Sequence, residues 1–116
     1  MEDVQIALTN LTYGRALREL LLRNGSYNVS EVELPDPDRQ GLVVTDCDHL
    51  RQLPVPIPNP ERVVLIAPND PGLIDKAWDA GVTSIVPDKE PPSTAVLAVL
   101  SANLRRLKTM SNIRRS

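Results

Sequence analysis

The chain has 116 residues, enough for one domain with one core, and 41% are apolar, but it contains no Phe, one Trp and two Tyr, so a core must be built from Leu, Ile, Val and Ala. The scarcity of aromatic side chains argues against base stacking as the main activity, and one cysteine with one histidine, Cys47 and His49, excludes an internal disulfide and falls short of a usual zinc site. The formal net charge is −2, but the charges are unevenly distributed. All 15 acids lie within residues 1–90, and the charged residues of 91–116 are all basic: Arg105, Arg106, Lys108, Arg114 and Arg115.

The first predicted unit is a strand followed by a helix. Residues 4–8 are an apolar run that suits a buried strand, and Thr12 is the expected N-cap of the helix that follows. Gly25 supplies the stop signal for that helix. The acidic start of the chain, without a basic region or a long apolar stretch, predicts a cytoplasmic protein. The apolar face of the helix comprises Ala16, Leu17, Leu20 and Leu21.

The second and third predicted strands are joined by a short link. Residues 27–34 alternate apolar and polar side chains over eight positions, which is the period of a strand with one wet face, and an edge strand fits them best. Residues 35–38 contain two prolines, which forbid a regular helix. Residues 41–46 are a second buried-strand run, and its last residue is an acid, Asp46.

A proline-rich loop and the most hydrophobic strand candidate come next. Residues 49–53 allow one helical turn. An extended, polyproline-like connection is then favoured by Pro54, Pro56, Pro58 and Pro60. Residues 62–67 form the most hydrophobic strand candidate, and the turn chemistry of residues 68–72 leads into a helix expected from about residue 73 to residue 80.

A fifth strand and a final helix complete the predicted elements. Residues 83–87 form the strand, and residues 91–93 open the helix. The helix carries an apolar stripe at Val96, Leu97, Leu100, Leu104 and Leu107. Strands separated by helices predict an α/β fold with a doubly wound parallel sheet and functional residues at the carboxyl ends of its strands. The stripe is longer than one small sheet needs, which indicates a homodimer or a helix that continues into an output domain.

Residues 77–86 resemble the helix, turn and fifth strand of the receiver domain of two-component response regulators, and residues 88–92 are similar to the start of that domain's last helix. Residues 41–46 look like its third strand. The resemblance implies an atypical or pseudo-receiver with a three-layer, flavodoxin-like fold and strand order 2-1-3-4-5. The second helix is expected to be missing and the third shortened. Six to eight extended residues at ~3.3 Å each can still span the roughly 17 Å of one strand, leaving a partly stripped sheet face with exposed apolar side chains.

The resemblance also implies which positions should carry phosphotransfer chemistry. A receiver uses two acids after its first strand to hold magnesium, an aspartate after the third to accept a phosphoryl group, a hydroxyl after the fourth and a lysine after the fifth. In this chain the acid pair falls on Thr9 and Asn10, the hydroxyl on Ala67 and the lysine on Asp88. Asp46 alone is in place, so the sequence predicts weak or absent phosphotransfer and no metal or other cofactor.

Several side chains allow two interpretations. Asp46 is either a residual phospho-acceptor or an acid that caps the following turn. Cys47 is either a redox thiol or a small buried residue, and Asp48 and His49 form at most a loose cluster with Asp46. Trp78 lies at helical spacing within its predicted helix, which suits either the core or an exposed interface anchor.

The resemblance, together with these departures from it, implies a degenerate receiver-like signalling module of a transcriptional or two-component regulator, which is not an enzyme and acts by protein–protein contact. The resemblance implies a homodimer through the fourth helix, fifth strand and final helix of the family, with Trp78, Leu100 and Leu104 as interface candidates. Residues 1–107 are the predicted domain and residues 108–116 a basic tail or helix extension, with a possible output domain after it. Neither nucleic acid nor membrane is an expected partner of this domain alone.

Two alternatives to this function remain. The first is a working receiver that accepts a phosphoryl group on Asp46 with magnesium. The second is a flavodoxin-like domain that binds a small molecule at the strand ends, but the turn after the first strand holds one glycine, Gly14, rather than a glycine-rich loop.

Overall fold

In the described part of the chain, five short strands form one parallel sheet in the order β2-β1-β3-β4-β5. The computed structural model describes residues 2–36, 38–53, 57 and 59–115, with side chains as far as Arg105. The strands are β1 (Glu2–Ala7), β2 (Tyr27–Glu31), β3 (Leu42–Asp46), β4 (Val63–Ala67) and β5 (Ser84–Pro87). The predicted doubly wound α/β fold and its strand order are therefore confirmed.

Four helices connect and cover these strands in the described residues. They are α1 (Leu11–Asn24), α2 (Cys47–Leu50), α3 (Pro71–Asp79) and α4 (Pro92–Arg115), and a short 3₁₀ turn (Pro60–Arg62) precedes β4. The prediction that the third helix of the receiver pattern is cut to one turn is confirmed by α2. Pro54, Pro56 and Pro58, which were expected to form an extended connection, lie outside the described residues. None of the helices in the described ranges is long and apolar enough to cross a membrane.

The start of α1 differs from the prediction, because its N-cap is Asn10 and not Thr12. Asn10 has an extended backbone, and its side chain accepts a hydrogen bond from the backbone N–H of Tyr13. Both residue types cap helices well. Asn10 is the cap because its backbone is still extended where the chain leaves β1, and Thr12 lies inside the helix. The predicted end of α1 is confirmed, since Gly25 adopts the left-handed conformation there with φ of 80°.

Strand β2 lies at the edge of the sheet, as predicted, but it is shorter than the alternating pattern indicated. It pairs in parallel with β1 and ends at Glu31. The N–H of Val32 still donates to the carbonyl of Ile6 at 2.8 Å, after which the chain bends. The alternation of apolar and polar residues from Val32 to Leu34 therefore does not reflect further pairing with β1.

One face of the sheet carries the larger apolar core, under α1 and α4. Side chains from β1, β3 and β4 that point to this face pack against Leu17 and Leu21 of α1 and against small residues of α4. The α4 contribution is Ala95, Val99 and Ala102. Small residues let a helix approach the sheet closely, which compensates for the absence of phenylalanine in the chain.

The other face is covered by α2, α3 and the link between β2 and β3. The link contains no helix in its described residues, 32–36 and 38–41, which confirms that the second helix of the receiver pattern is missing. Instead, the side chain of Gln5 pairs with the backbone of Asp36: its amide donates to the Asp36 carbonyl at 3.1 Å, and its carbonyl accepts from the Asp36 N–H at 2.8 Å. Gln5 is thereby 2% exposed although it is polar.

The expectation of exposed apolar side chains on this face is wrong for the central strands. Val43 of β3 is buried, and the neighbouring position on β1 is the paired Gln5. The link can press against the sheet because Gly41 replaces a side chain with hydrogen: a Cβ there would lie 2.2 Å from the carbonyl oxygen of Asp3. Among the described residues of the link, Leu34 is the large apolar side chain that stays exposed.

Candidate functional site

An open pocket of about 490 Å³ lies at the carboxyl edge of the sheet, where β1, β3 and β4 end. Thr9, Asn10, Asp46 and Asp88 line it together, so four of the five positions implied by the receiver resemblance meet at one place. Apolar side chains form part of the lining, among them Leu8, Ile66 and Leu73. Parallel strands place their following loops at the same edge, which explains why residues far apart in the sequence converge.

Asp46 is the best-anchored side chain of this pocket. One of its oxygens, Oδ2, accepts from the backbone N–H of Thr9 at 2.8 Å. The other, Oδ1, accepts from the backbone N–H of His49 at 3.0 Å and lies 2.6 Å from His49 Nδ1. Asp46 is the N-cap of α2, and the same carboxylate ties the loop after β1 to the start of this helix. Both oxygens are therefore engaged.

The electrostatics of Asp46 follow from these contacts. Burial alone raises the pKa of its carboxyl group, but hydrogen bonds from Thr9 and His49 outweigh burial, and the pKa lies below its ordinary value. The carboxylate is consequently charged at neutral pH. Sequence reasoning left the contact with His49 open, although an N-cap acid with a polar side chain three residues later has the spacing of a capping box.

The residues at the other receiver positions are occupied by structural contacts. The Asn10 side-chain oxygen caps α1, and Thr9 is exposed with its backbone N–H bound to Asp46. Ala67 is buried in the core under α2 and α3, and its carbonyl accepts from the N–H of Asp88 at 2.9 Å. Lys89 follows on the exposed turn after β5, and it is not among the residues that line the pocket.

The magnesium ion implied by the receiver resemblance does not fit these residues. Magnesium is held by carboxylate oxygens in octahedral geometry, whereas Thr9 and Asn10 are neutral and the Asn10 oxygen is already an acceptor for the α1 backbone. Both oxygens of Asp46 are hydrogen-bonded. Within the described residues, no group of three or more His, Cys, Asp or Glu side chains is arranged to hold a metal ion.

Tyr13 is a pocket residue that sequence reasoning did not single out. Its hydroxyl oxygen is buried and has no hydrogen-bond partner in the described structure. Burial, followed by the negative charges of Glu90 and Asp88, raises the pKa of this hydroxyl. The signal available in the sequence was its position three residues after Asn10, which brings the first turn of α1 over the end of β1.

Cys47 and its neighbours lie on the rim of the pocket. Cys47 is half-buried, and burial, opposed by Arg51 and assisted by Asp46, Asp48 and Asp70, raises the pKa of its thiol. A raised pKa disfavours the reactive thiolate, in agreement with the interpretation as a small packing residue. Asp48 and Arg51 form an exposed ion pair at 3.7 Å, which contributes little to stability.

Exposed apolar side chains also lie on α3 beside β5 and, on the opposite face of the sheet, on the outer side of α4. Trp78 is 60% exposed, so it is not part of the core, and its role as an interface anchor stays a prediction. It borders a shallow groove of about 250 Å³ with Ile74, Ile85 and Pro87. Leu104 is 67% exposed, whereas Leu100 is half-buried and packs against the larger core. The side chain of Leu107, a further member of the predicted stripe, lies outside the described part.

The fold is similar to that of solved receiver domains. The ChxR receiver domain from Chlamydia trachomatis matches with a TM-score of 0.65 and 17% identity over 86% of this chain and 99% of that one. A signal receiver domain from Clostridium thermocellum matches with a TM-score of 0.64 and 17% identity over 87% and 96%. No protein-family model matches the chain, and no curated protein matches it in sequence.

A third structure extends the comparison to a regulator with more than a receiver domain. RcsB from Salmonella enterica serovar Typhimurium, solved on the promoter rprA with the phosphomimetic BeF3⁻, matches with a TM-score of 0.63 and 16% identity. The match covers 85% of this chain and 66% of RcsB. At these identities the likeness concerns the fold, and the chemistry has to be argued from the side chains of this chain.

Proposed function

We propose that this chain, which has the receiver fold, is a degenerate receiver-like signalling module that works by protein–protein contact without being phosphorylated. The observation that carries the proposal is the engagement of Asp46 as a cap. Phosphoryl transfer to a carboxylate requires an oxygen that can approach the phosphorus and a cation that offsets the developing charge. Here the oxygens of Asp46 hold Thr9 and His49 instead.

The charge of the pocket supports the same proposal. Asp46, Asp48 and Asp88 line it, and among the described lining side chains Arg51 is the one base. A receiver carries a lysine where this chain has Asp88, so a phosphoryl group on Asp46 would face an acid in place of a base. Like charges within a few ångströms repel, most strongly where the groups are partly buried.

The test is a titration with magnesium and beryllofluoride, a phosphoryl mimic, followed by amide NMR. We expect no saturable shifts at Thr9, Asp46 or Asp88 in the unmodified chain. A receiver with the complete set of five side chains, titrated in parallel, shows that the reagent is active. Saturable shifts that disappear in Asp46→Asn would overturn the proposal and favour the phospho-accepting alternative.

We place the module in a transcriptional or two-component regulator. RcsB, whose solved structure is bound to a promoter, is half as long again as the part that this chain matches, and α4 is 24 residues long. A helix of this kind can pass a signal to an output domain. The exposed apolar side chains on the outer side of α4 are the proposed contact surface, and a second copy of the chain is the proposed first partner; those of α3, on the other face of the sheet, are a separate candidate surface.

A further inference from the structure

Helix α4 has apolar side chains on two opposite sides, and the sheet covers one of them. Ala95, Val99 and Ala102 are fully buried against the sheet. Leu97 and Leu104 are 65% and 67% exposed. At 100° per residue, the mean direction of these two leucines is about 180° from the buried side of the helix. An apolar stripe of this size on a helix normally meets a partner.

The exposed stripe has the spacing of a coiled-coil seam. Leu97, Leu100 and Leu104 are separated by three and four residues, and Leu107 continues the series in the sequence. This 3-4-3 spacing corresponds to the a and d positions of a heptad. Leu100 is half-buried at the border between the seam and the larger core. Because the seam and the sheet lie on opposite sides of α4, two copies can pair through α4 with both sheets on the outside.

Resting on the proposed function, we infer that α4 pairs with α4 of a second copy in antiparallel orientation, with Leu100 of one copy opposite Leu104 of the other. Charge decides the orientation. From residue 91 onward the chain carries five bases and no acid. Arg105 is directed at Ser84 of β5, but by heptad spacing Lys108, Arg114 and Arg115 lie at or beside the continuing seam, so a parallel pair would bring the same bases close together. Like charges at a helix interface are destabilising.

An antiparallel pair brings opposite charges together instead. The register that places residue 100 opposite residue 104 also places residue 90 opposite residue 114. Glu90 is exposed just before α4, and Arg114 belongs to the basic end of the helix. Asp88 precedes Glu90 on the same turn, so the basic end of each helix is directed at an acidic part of its partner. The acidic body and basic end of this chain are thus self-complementary in one orientation.

Cross-linking distinguishes the two orientations in the full chain. In a Cys47→Ser background, Leu100→Cys and Leu104→Cys variants are prepared singly and then mixed. The antiparallel register predicts a disulfide-linked dimer in the oxidised mixture and little in either single variant. In either single variant, the identical cysteines of the two copies would be offset by four positions, about 6 Å along the axis. Combined with the separation across two helices whose axes are roughly 8–10 Å apart, this offset puts their Cα atoms beyond the ~7 Å limit for a disulfide. Efficient dimers in each single variant would establish parallel pairing and overturn the inference.

Sedimentation of the uncrosslinked chain tests the seam itself. Leu97→Glu and Leu104→Glu should each raise the dimer dissociation constant at least about tenfold, because a charge is buried in an apolar contact. The matched control is Leu11→Glu, an exposed leucine of α1, which should leave the constant unchanged. Both seam leucines are exposed, so the variants should keep the circular dichroism spectrum of the folded monomer. An unmodified chain that is monomeric at millimolar concentration would refute the pairing.

A charge exchange adds an independent arm. Glu90→Lys should weaken the dimer, and Arg114→Glu in the same chain should restore it. A double variant that dimerises no more tightly than Glu90→Lys would argue against the register. These outcomes are separate from the phosphoryl test. A response to beryllofluoride with an intact antiparallel dimer would remove the proposed function alone, and a parallel dimer with no response would remove the inference alone. An absent dimer with no response would remove the inference and the second copy as the first partner, but not independence from phosphorylation.

Discussion

The two faces of the sheet are covered by different means. Under α1 and α4, Leu17, Leu21 and Val99 belong to a continuous apolar cluster with no exposed surface at these three positions. On the opposite face, near β1, an extended link takes the place of a helix, and the side chain of Gln5 holds it through the backbone of Asp36. The first face depends on apolar area, and the second on specific hydrogen bonds.

The difference shows how a doubly wound fold tolerates the loss of a helix. A missing helix exposes the sheet beneath it unless that part of the sheet can pair with what replaces it. Gln5 offers a donor and an acceptor in the geometry of a backbone amide, and Gly41 lets the link approach the carbonyl of Asp3. Gln5, a polar residue in the middle of a buried strand, thus holds the link over the part of the sheet that a helix would otherwise cover.

The largest expected effect is on the apolar face. Leu17→Ala should lower the free energy of unfolding by about 2–5 kcal/mol, since Leu17 is fully buried and its truncation leaves a cavity in a close-packed core. Urea denaturation followed by circular dichroism measures the change. Leu22→Ala on the same helix is the control, because Leu22 is exposed and should change stability by less than about 0.5 kcal/mol. Equal effects at the two positions would contradict the described core.

A smaller effect is expected on the opposite face. Gln5→Leu keeps the approximate volume but removes both hydrogen bonds to Asp36, so the free energy of unfolding should fall by roughly 1–2 kcal/mol. The Asp36 amide proton should also exchange faster with solvent. Gln52→Leu is the matched control, since exposed Gln52 makes one long bond of 3.5 Å. Unchanged exchange at Asp36 in Gln5→Leu would show that the side chain does not hold the link.

The contrast between the faces also explains what the sequence could predict. Burial is reported directly by the apolar runs at residues 62–67 and 41–46 and by the helical spacing around Leu17. These patterns predicted the strands and α1, and the receiver resemblance implied the order of the strands in the sheet. The role of Gln5 could not be predicted, because its partner is a backbone group 31 residues away. For the same reason, the expectation of an exposed apolar face was wrong there.

The site was predictable in position but not in contacts. The resemblance brought Thr9, Asn10, Asp46 and Asp88 to one edge, where they line one pocket. Which of two cap-type residues begins α1 depends on where β1 releases the chain, which a pattern of residue types does not give. The buried hydroxyl of Tyr13 depends likewise on the path of α1 over the strand end.

The smallest expected effect concerns Asp46, which joins the two faces at the carboxyl edge. Its pKa is lower in the folded chain than in the unfolded one, so the charged carboxylate contributes stability above the unfolded pKa of about 4. That contribution is lost as pH falls from there through the lower folded pKa. Asp46→Asn keeps one capping oxygen but removes the charge, and at pH 7 it should cost up to about 1 kcal/mol. The difference in unfolding free energy between Asp46→Asn and the unmodified chain should therefore shrink as pH falls below the unfolded pKa, and it should vanish once pH is below the folded pKa.

Urea denaturation from pH 2.5 to pH 7 measures this difference. The comparison is made in the unmodified chain and repeated in a His49→Gln background, where the imidazole beside Asp46 Oδ1 is absent. Asp48→Asn serves as the control, because Asp48 is exposed and its ion pair with Arg51 is long, and its effect should stay near zero at every pH. A cost at Asp46 that persists unchanged to pH 2.5 would mean that its hydrogen bonds do not depend on the charge. In that case the carboxylate would be replaceable by any capping oxygen.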